Sequence, residues 1–179
     1  MHIAPEDIRT CIEDHPAREP GVEPMATPIV QTSLFAFPDY DSLIAAGAAE
    51  YRNNVYSRGQ NPTVEVLERK LAALERGESC KAFGSGMAAV SSVILGLLDS
   101  GDHILFVNHT YGPTMQLAKQ LERFGLEHTL LLDIEPDDVK AALRPNTKLV
   151  WLESPGTMMF RTLDLAAIAD IAHSHGALT

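Results

Sequence analysis

Basic residues are scarce in this chain. Lys and Arg number 14 against 24 Asp and Glu, a formal net charge of −10 over 179 residues. The acidic excess is spread along the chain and forms no tail. It argues against nucleic acid or an anionic membrane as the main partner, because both require a basic face. Cysteine is scarcer still. Cys11 and Cys80 match no metal-ligand spacing and are too few for a disulfide framework, which suits a reducing compartment. No basic start followed by an apolar run opens the chain, so the N-terminal segment does not read as a secretory signal. The longest apolar stretch, Met87 to Leu98, is interrupted by Ser91, Ser92 and Gly96 and is too short to span a bilayer. These absences lead to the expectation of a soluble cytoplasmic protein. With 45% apolar residues it can bury a core, and its length is that of one domain or part of something larger.

What is present changes character near residue 60. Residues 1–60 hold Pro5, Pro16, Pro20, Pro24, Pro28 and Pro38 and read as an extended arm with one helix at Asp41–Tyr51. An arm of this kind lies on another surface, either the body of the protein or a second subunit. Residues 61–179 read as an α/β domain. Asn61 caps a helix with Pro62 at its first position; Val64, Leu67, Leu71 and Leu74 mark its apolar face, and Gly77 stops it. Ser85 to Leu98 reads as a mostly buried helix. Strands follow at Ile104–Val107, His128–Leu132 and Lys148–Leu152, with helices at Gly112–Phe124, Pro136–Leu143 and Leu163–His175 between and after them. The strands lack polar alternation, as in a mainly parallel sheet with helices on both faces. Ala177-Leu178-Thr179 reads as the start of a further strand, so the domain is expected to be incomplete.

Four stretches carry chemical signals. Phe83-Gly84-Ser85-Gly86-Met87-Ala88-Ala89 puts small residues at a helix start, where bare N–H groups and the helix dipole favour a phosphate; a plain tight turn is the alternative. The same letters satisfy the dinucleotide fingerprint G-x-G-x-x-A, but the next strand ends in Asn108-His109 without the acid that would hold a ribose. A nucleophile elbow fails at Phe83, and no Walker sequence is present. In Tyr56-Ser57-Arg58-Gly59-Gln60-Asn61-Pro62-Thr63 an aromatic and an arginine can grip an anion; a solvent-facing loop capping the next helix explains the same letters. Tyr111 follows the Ile104 strand at the edge where α/β sheets bind ligands, and it can stack on a flat ring. Glu153-Ser154-Pro155-Gly156-Thr157 reaches the same edge after the Lys148 strand, as a ligand wall or as a strand-end turn. His173-x-His175 points in two directions on a helix and has no third ligand nearby, so no metal is expected. The sequon at Asn108 carries no glycan in a cytoplasmic protein.

Together and in this order, these pieces resemble the Cys/Met-metabolism family of pyridoxal-phosphate enzymes, from Pro28-Ile29 to Thr179. The combination Tyr56-x-Arg58-x-x-Asn61-Pro62-Thr63, a helix, then Gly86-Met87 carries the likeness. The resemblance implies the N-terminal arm and part of the large domain of a fold-type I enzyme. It implies that Gly86 and Met87 bind the cofactor phosphate, with Ser85 beside them and Tyr111 stacked on the pyridine ring as the catalytic residue in this chain. It further implies that Tyr56 and Arg58 reach a neighbouring subunit's phosphate, in a homodimer or a dimer of dimers. Arg144 through Thr157 looks most like the bacterial cystathionine β-lyases; many γ-acting members have asparagine where Thr157 stands, beside the cofactor's 3′ oxygen. The implied activity is cystathionine β-elimination to homocysteine, pyruvate and ammonia, in methionine biosynthesis. The alternatives are cystathionine γ-synthase, γ-lyase or methionine γ-lyase chemistry, a non-catalytic dimerising fragment, and a disfavoured Rossmann domain. The family's Schiff-base lysine and pyridinium aspartate are not among these residues: Lys70, Lys81, Lys119, Lys140 and Lys148 all lack the Ser-x-Thr-Lys context.

Overall fold

The computed structural model describes residues 26–179. Cys11 and the arm prolines before residue 26 lie outside the described residues. The described residues fall into two compact units, 26–82 and 83–179. The division falls after the Pro62 helix, whereas the change in sequence character falls before it.

In the first unit the arm folds back on the loop that follows it. Leu34 pairs with Tyr56 in an antiparallel bridge, and the Ser57 N–H donates to Ser33 O at 3.0 Å. Helix α1 spans Tyr40–Gly47, capped by Asp39, whose carboxylate accepts from the Ser42 N–H. The single helix expected to Tyr51 ends at Gly47, and a separate 3-10 turn covers Glu50–Arg52. Helix α2, Pro62–Glu75, begins as the cap rule requires, with the Asn61 side chain accepting from the Thr63 N–H. The same Asn61 donates to Val30 O at 3.1 Å and to Ser57 Oγ at 3.1 Å. Thr63 Oγ1 donates to Pro28 O and accepts from the Val30 N–H. The Asn-Pro-Thr run therefore caps a helix and pins the arm at once.

Two expectations for α2 are corrected. Its buried residues are Val66, Glu68 and Ala72, while Val64, Leu67 and Leu71 are exposed. The returning segment is drawn to the other side, where Glu68 accepts from Lys81 Nζ at 3.0 Å and from the Ala82 N–H at 2.9 Å. The left-handed residue that ends the helix is Arg76, at φ 56°, and not Gly77. Gly77 instead closes the turn, its N–H donating to Ala72 O.

The second unit is a sheet between helices. Helix α3 (Gly86–Leu97) precedes β1 (His103–Val107); α4 (Gly112–Leu121) and a 3-10 turn at Glu122–Phe124 lead to β2 (Glu127–Leu131). Then come α5 (Pro136–Ala142), β3 (Thr147–Leu152) and α6 (Leu165–Ser174). The three strands are parallel in the order β2-β1-β3. Central β1 is buried along its whole length, and alternate residues feed two cores. Leu105 and Val107 join Val139, Val150, Ile168 and Ala172 on one face; Ile104 and Phe106 join Ile94, Ala118 and Leu149 on the other. Strand β2 is an edge and only partly buried, so the expectation of cover on both faces holds best for β1. Leu178 forms a parallel bridge with Leu149 on the free side of β3, where the start of a further strand was expected.

Helix α3 also departs from expectation. Ile94 alone is buried in it, although Val90 and Leu98 pack partly against the same core. A helix that is apolar all round gives no sequence signal of which side meets the sheet. Here the spacing 90, 94, 98 meets it, and Val93, Leu95 and Leu97 are exposed.

Candidate cofactor site

All three strands run the same way, so their C-terminal ends share one edge, and two loops and a helix start converge there. Ser85 caps α3 with its Oγ accepting from the Ala88 N–H at 3.1 Å. Ser85 O takes the N–H groups of Ala88 and Ala89. The preceding donors, on Gly86 and Met87, belong to the first turn and have no partner inside the helix. A Cβ placed on Gly86 would meet nothing within 4 Å, so the approach is open. These donors and the positive helix end are a seat for an anion.

The opposite walls come from the loops after β1 and β3. Tyr111 ends the first loop, occupies the cap position of α4 and is half exposed. Thr157 lies in the second, with its N–H donating to His109 O at 2.6 Å. Ser85, Gly86, Met87, Val90, Tyr111, Thr114, Glu153 and Thr157 line one cleft of about 570 Å³, a volume suited to a cofactor-sized molecule.

Below the cleft a buried Asn108 holds the second loop. It has a left-handed backbone, φ 75°, and its Nδ2 donates to Glu153 O at 3.1 Å and Arg161 O at 3.0 Å. Gly156 passes so close that a Cβ there would lie 2.3 Å from Asn108 Nδ2. Glycine is required at 156 by that approach. The carboxylate of Glu153 faces the first loop and accepts the Tyr111 N–H at 3.0 Å to each oxygen.

Six of the residues singled out from the sequence thus meet in one cleft: Ser85, Gly86, Met87, Tyr111, Glu153 and Thr157. Tyr56 and Arg58 do not line it. They belong to the first unit, where the Arg58 guanidinium lies 5.2 Å from the Tyr56 ring centroid. Asn108 and Thr114 gave no sequence signal, because their roles rest on partners distant in the chain. A second cleft, about 660 Å³, lies in the first unit beside Arg52, Glu68, Arg69 and Lys81. It is larger, but Glu68 and Lys81 there are bonded to each other and no helix start opens into it. Among the described residues, no group of three or more His, Cys, Asp or Glu could hold a metal ion. No described helix is long and apolar enough to cross a membrane.

A parallel α/β sheet with an anion seat at a helix start and an aromatic wall at the strand ends is the arrangement expected of a fold-type I pyridoxal-phosphate protein. A crystal structure from Campylobacter jejuni, assigned as an O-acetylhomoserine (thiol)-lyase, superposes with a TM-score of 0.83 over 96% of this chain and 42% of its own, at 28% identity. That protein carries a pyridoxyl-lysine monophosphate group. The family model described as Cys/Met metabolism PLP-dependent enzyme matches residues 10–179, and this chain belongs to that family. It is similar to an L-methionine gamma-lyase of Treponema denticola, 43% identical over 84% of this chain and 38% of the relative. It is also similar to a cystathionine beta-lyase of Staphylococcus haemolyticus, 40% identical over 69% of this chain and 32% of the relative. The chain spans about two fifths of the length of the first of these relatives, 38%. The family's cofactor is pyridoxal phosphate, and the residues of the cleft fit it: free donors for the phosphate, an exposed ring for the pyridine, and sufficient volume.

Proposed function

We propose that this chain is the cofactor-binding part of a carbon–sulfur lyase of sulfur amino-acid metabolism, cleaving cystathionine by β-elimination to homocysteine, pyruvate and ammonia. The observation that carries the reading is the single cleft shared by the α3 start, Tyr111 and Thr157. The Gly86 and Met87 N–H groups bind the phosphate with Ser85 beside them. Tyr111 would hold the ring by stacking, and its hydroxyl would be available to move a proton there. Bound pyridoxal phosphate supplies the electron sink that lets the α-proton leave and the β-thiolate depart.

The cleft's lining includes no basic side chain and one carboxylate, Glu153, so cationic help for the phosphate comes from outside it. Arg58 and Tyr56 of a neighbouring copy supply it in this reading, in a cytoplasmic homodimer or dimer of dimers. Residues 1–60 then serve as the arm that carries the inter-subunit loop, and residues 61–179 as part of the cofactor domain. Thr157 in place of an amide supports β- over γ-elimination. The γ-reading keeps its own support, since the Treponema methionine gamma-lyase covers more of this chain than the beta-lyase does, 84% against 69%.

The 2-oxo acid released from cystathionine by the native polypeptide that carries this sequence separates the two. Pyruvate is expected; 2-oxobutyrate would move the assignment to γ-elimination. The 179 residues by themselves, without a lysine in the family's context, are expected to release neither acid.

A further inference from the structure

We propose that Glu153 is a positioning residue that sets the two walls of the cleft at once, fixing the backbone of Tyr111 and committing the hydroxyl proton of Thr157 away from the bound ring. The inference rests on the reading that the cleft takes pyridoxal phosphate.

The carboxylate lies just past the end of β3 and gathers three donors. Both oxygens accept the Tyr111 N–H at 3.0 Å. Oε1 accepts Trp151 Nε1–H at 3.3 Å, and Oε2 accepts the Thr157 hydroxyl at 3.0 Å. Tyr111 stands at the start of α4, where no side chain of its own caps the helix. Glu153 instead accepts the N–H of the cap residue itself, at the positive end of the helix dipole. Tyr111 is half exposed, and its anchored backbone fixes the point from which the ring projects.

The consequence for Thr157 follows from proton counting. A carboxylate only accepts, and a hydroxyl has one proton. The proton on Thr157 Oγ1 is therefore given to Glu153, and only lone pairs remain to face the cleft. The Thr157 backbone is held from a second side by His109 O, so the hydroxyl cannot escape by moving as a whole. A threonine in this setting is an acceptor toward the ring, the opposite of what the same side chain offers when its proton is free.

Glu153→Gln tests this with little change of shape. The amide oxygen can keep the Tyr111 N–H, while the amide nitrogen must donate to Thr157, which turns the hydroxyl proton into the cleft. The native polypeptide would be titrated with pyridoxal 5′-phosphate, and the bound cofactor's absorption band followed against pH. E153Q is expected to shift the midpoint of that band by on the order of one pH unit. In a T157V background the same substitution is expected to shift it by far less, giving a non-additive cycle. A merely structural role would shift thermal stability in both backgrounds and leave the midpoint alone. An equal shift with and without the hydroxyl, or no shift, overturns the proposal. Should E153Q fail to fold, T157S is expected to keep the wild-type midpoint and T157V to move it; identical midpoints overturn the proposal. A wild-type protein with no saturable spectral change overturns the cofactor reading and this inference with it. Wild-type binding with a failed cycle removes the Glu153 inference alone.

Discussion

The two ends of the sheet are built on opposite plans. At the N-terminal ends of the strands the polar side chains bond one another. His103, fully buried, bonds Thr147 Oγ1 at 2.8 Å and Thr129 Oγ1 at 3.0 Å, tying the central strand to both neighbours. Arg144 adds its N–H to Thr147 Oγ1, its Nη2 to Thr129 Oγ1 and its Nη1 to Glu127. At the C-terminal ends the α3 donors open into a cleft and Tyr111 is half exposed. One end bonds its polar groups to one another across the strands; the other uses Asn108 and Glu153 to hold the loops and leaves the first-turn N–H groups of α3 open to a cleft. The lesson is that polar density does not mark a binding site. Unspent polar groups do, and in a parallel sheet they collect where the strands end.

The most damaging way to break the contrast is Gly156→Ala. The added methyl group collides with the side chain of Asn108, which is buried and held by two hydrogen bonds and so has little room to yield. A loss of about 1–3 kcal/mol in chemical denaturation is expected, together with at least tenfold weaker binding of pyridoxal phosphate. The closed end is next. Burial, with Arg144 as a smaller cause, lowers the His103 pKa from 6.5 to about 4. The folded state keeps the ring neutral while the unfolded chain protonates first. Stability is therefore flat above pH 6.5, falls between 6.5 and 4, and falls no further from this group below 4. The loss is up to about 3 kcal/mol by linkage, and His103→Gln, measured by denaturation across that window, should flatten the curve. Ser85→Ala removes a cap worth about 1 kcal/mol and should weaken inorganic phosphate and pyridoxal phosphate binding alike, as calorimetry would show. Smallest is Glu127→Gln. The Arg144–Glu127 pair is half exposed on both sides, so a change within about 0.5 kcal/mol is expected.

Much of this was legible in the sequence where a residue's role depends on its neighbours in the chain. The Asn61-Pro62 start, the Gly86 helix terminus and the position of Tyr111 after a strand all follow from local rules. The illegible parts depend on distant partners or on sidedness. Arg76 takes the left-handed position because the turn closes through Gly77 one residue later, a one-step difference no composition rule resolves. The apolar stripe of α2 and the all-round apolar α3 do not say which face is covered. Glu153 could be placed at the ligand edge, but its grip on Tyr111 spans 42 residues, and Asn108 looked like the end of a strand and nothing more.

The sequential order of the cleft's parts bears on how the protein is made. The α3 seat, the central strand with Tyr111, and the Thr157 loop emerge from the ribosome in that order, all inside the second compact unit. Domains generally fold as units during synthesis, and the core beneath this edge also needs Ile168 and Ala172 of α6, so the edge takes shape only after that helix has followed the Thr157 loop. A ligand that binds this edge and not the unfolded chain would stabilise the second unit by mass action.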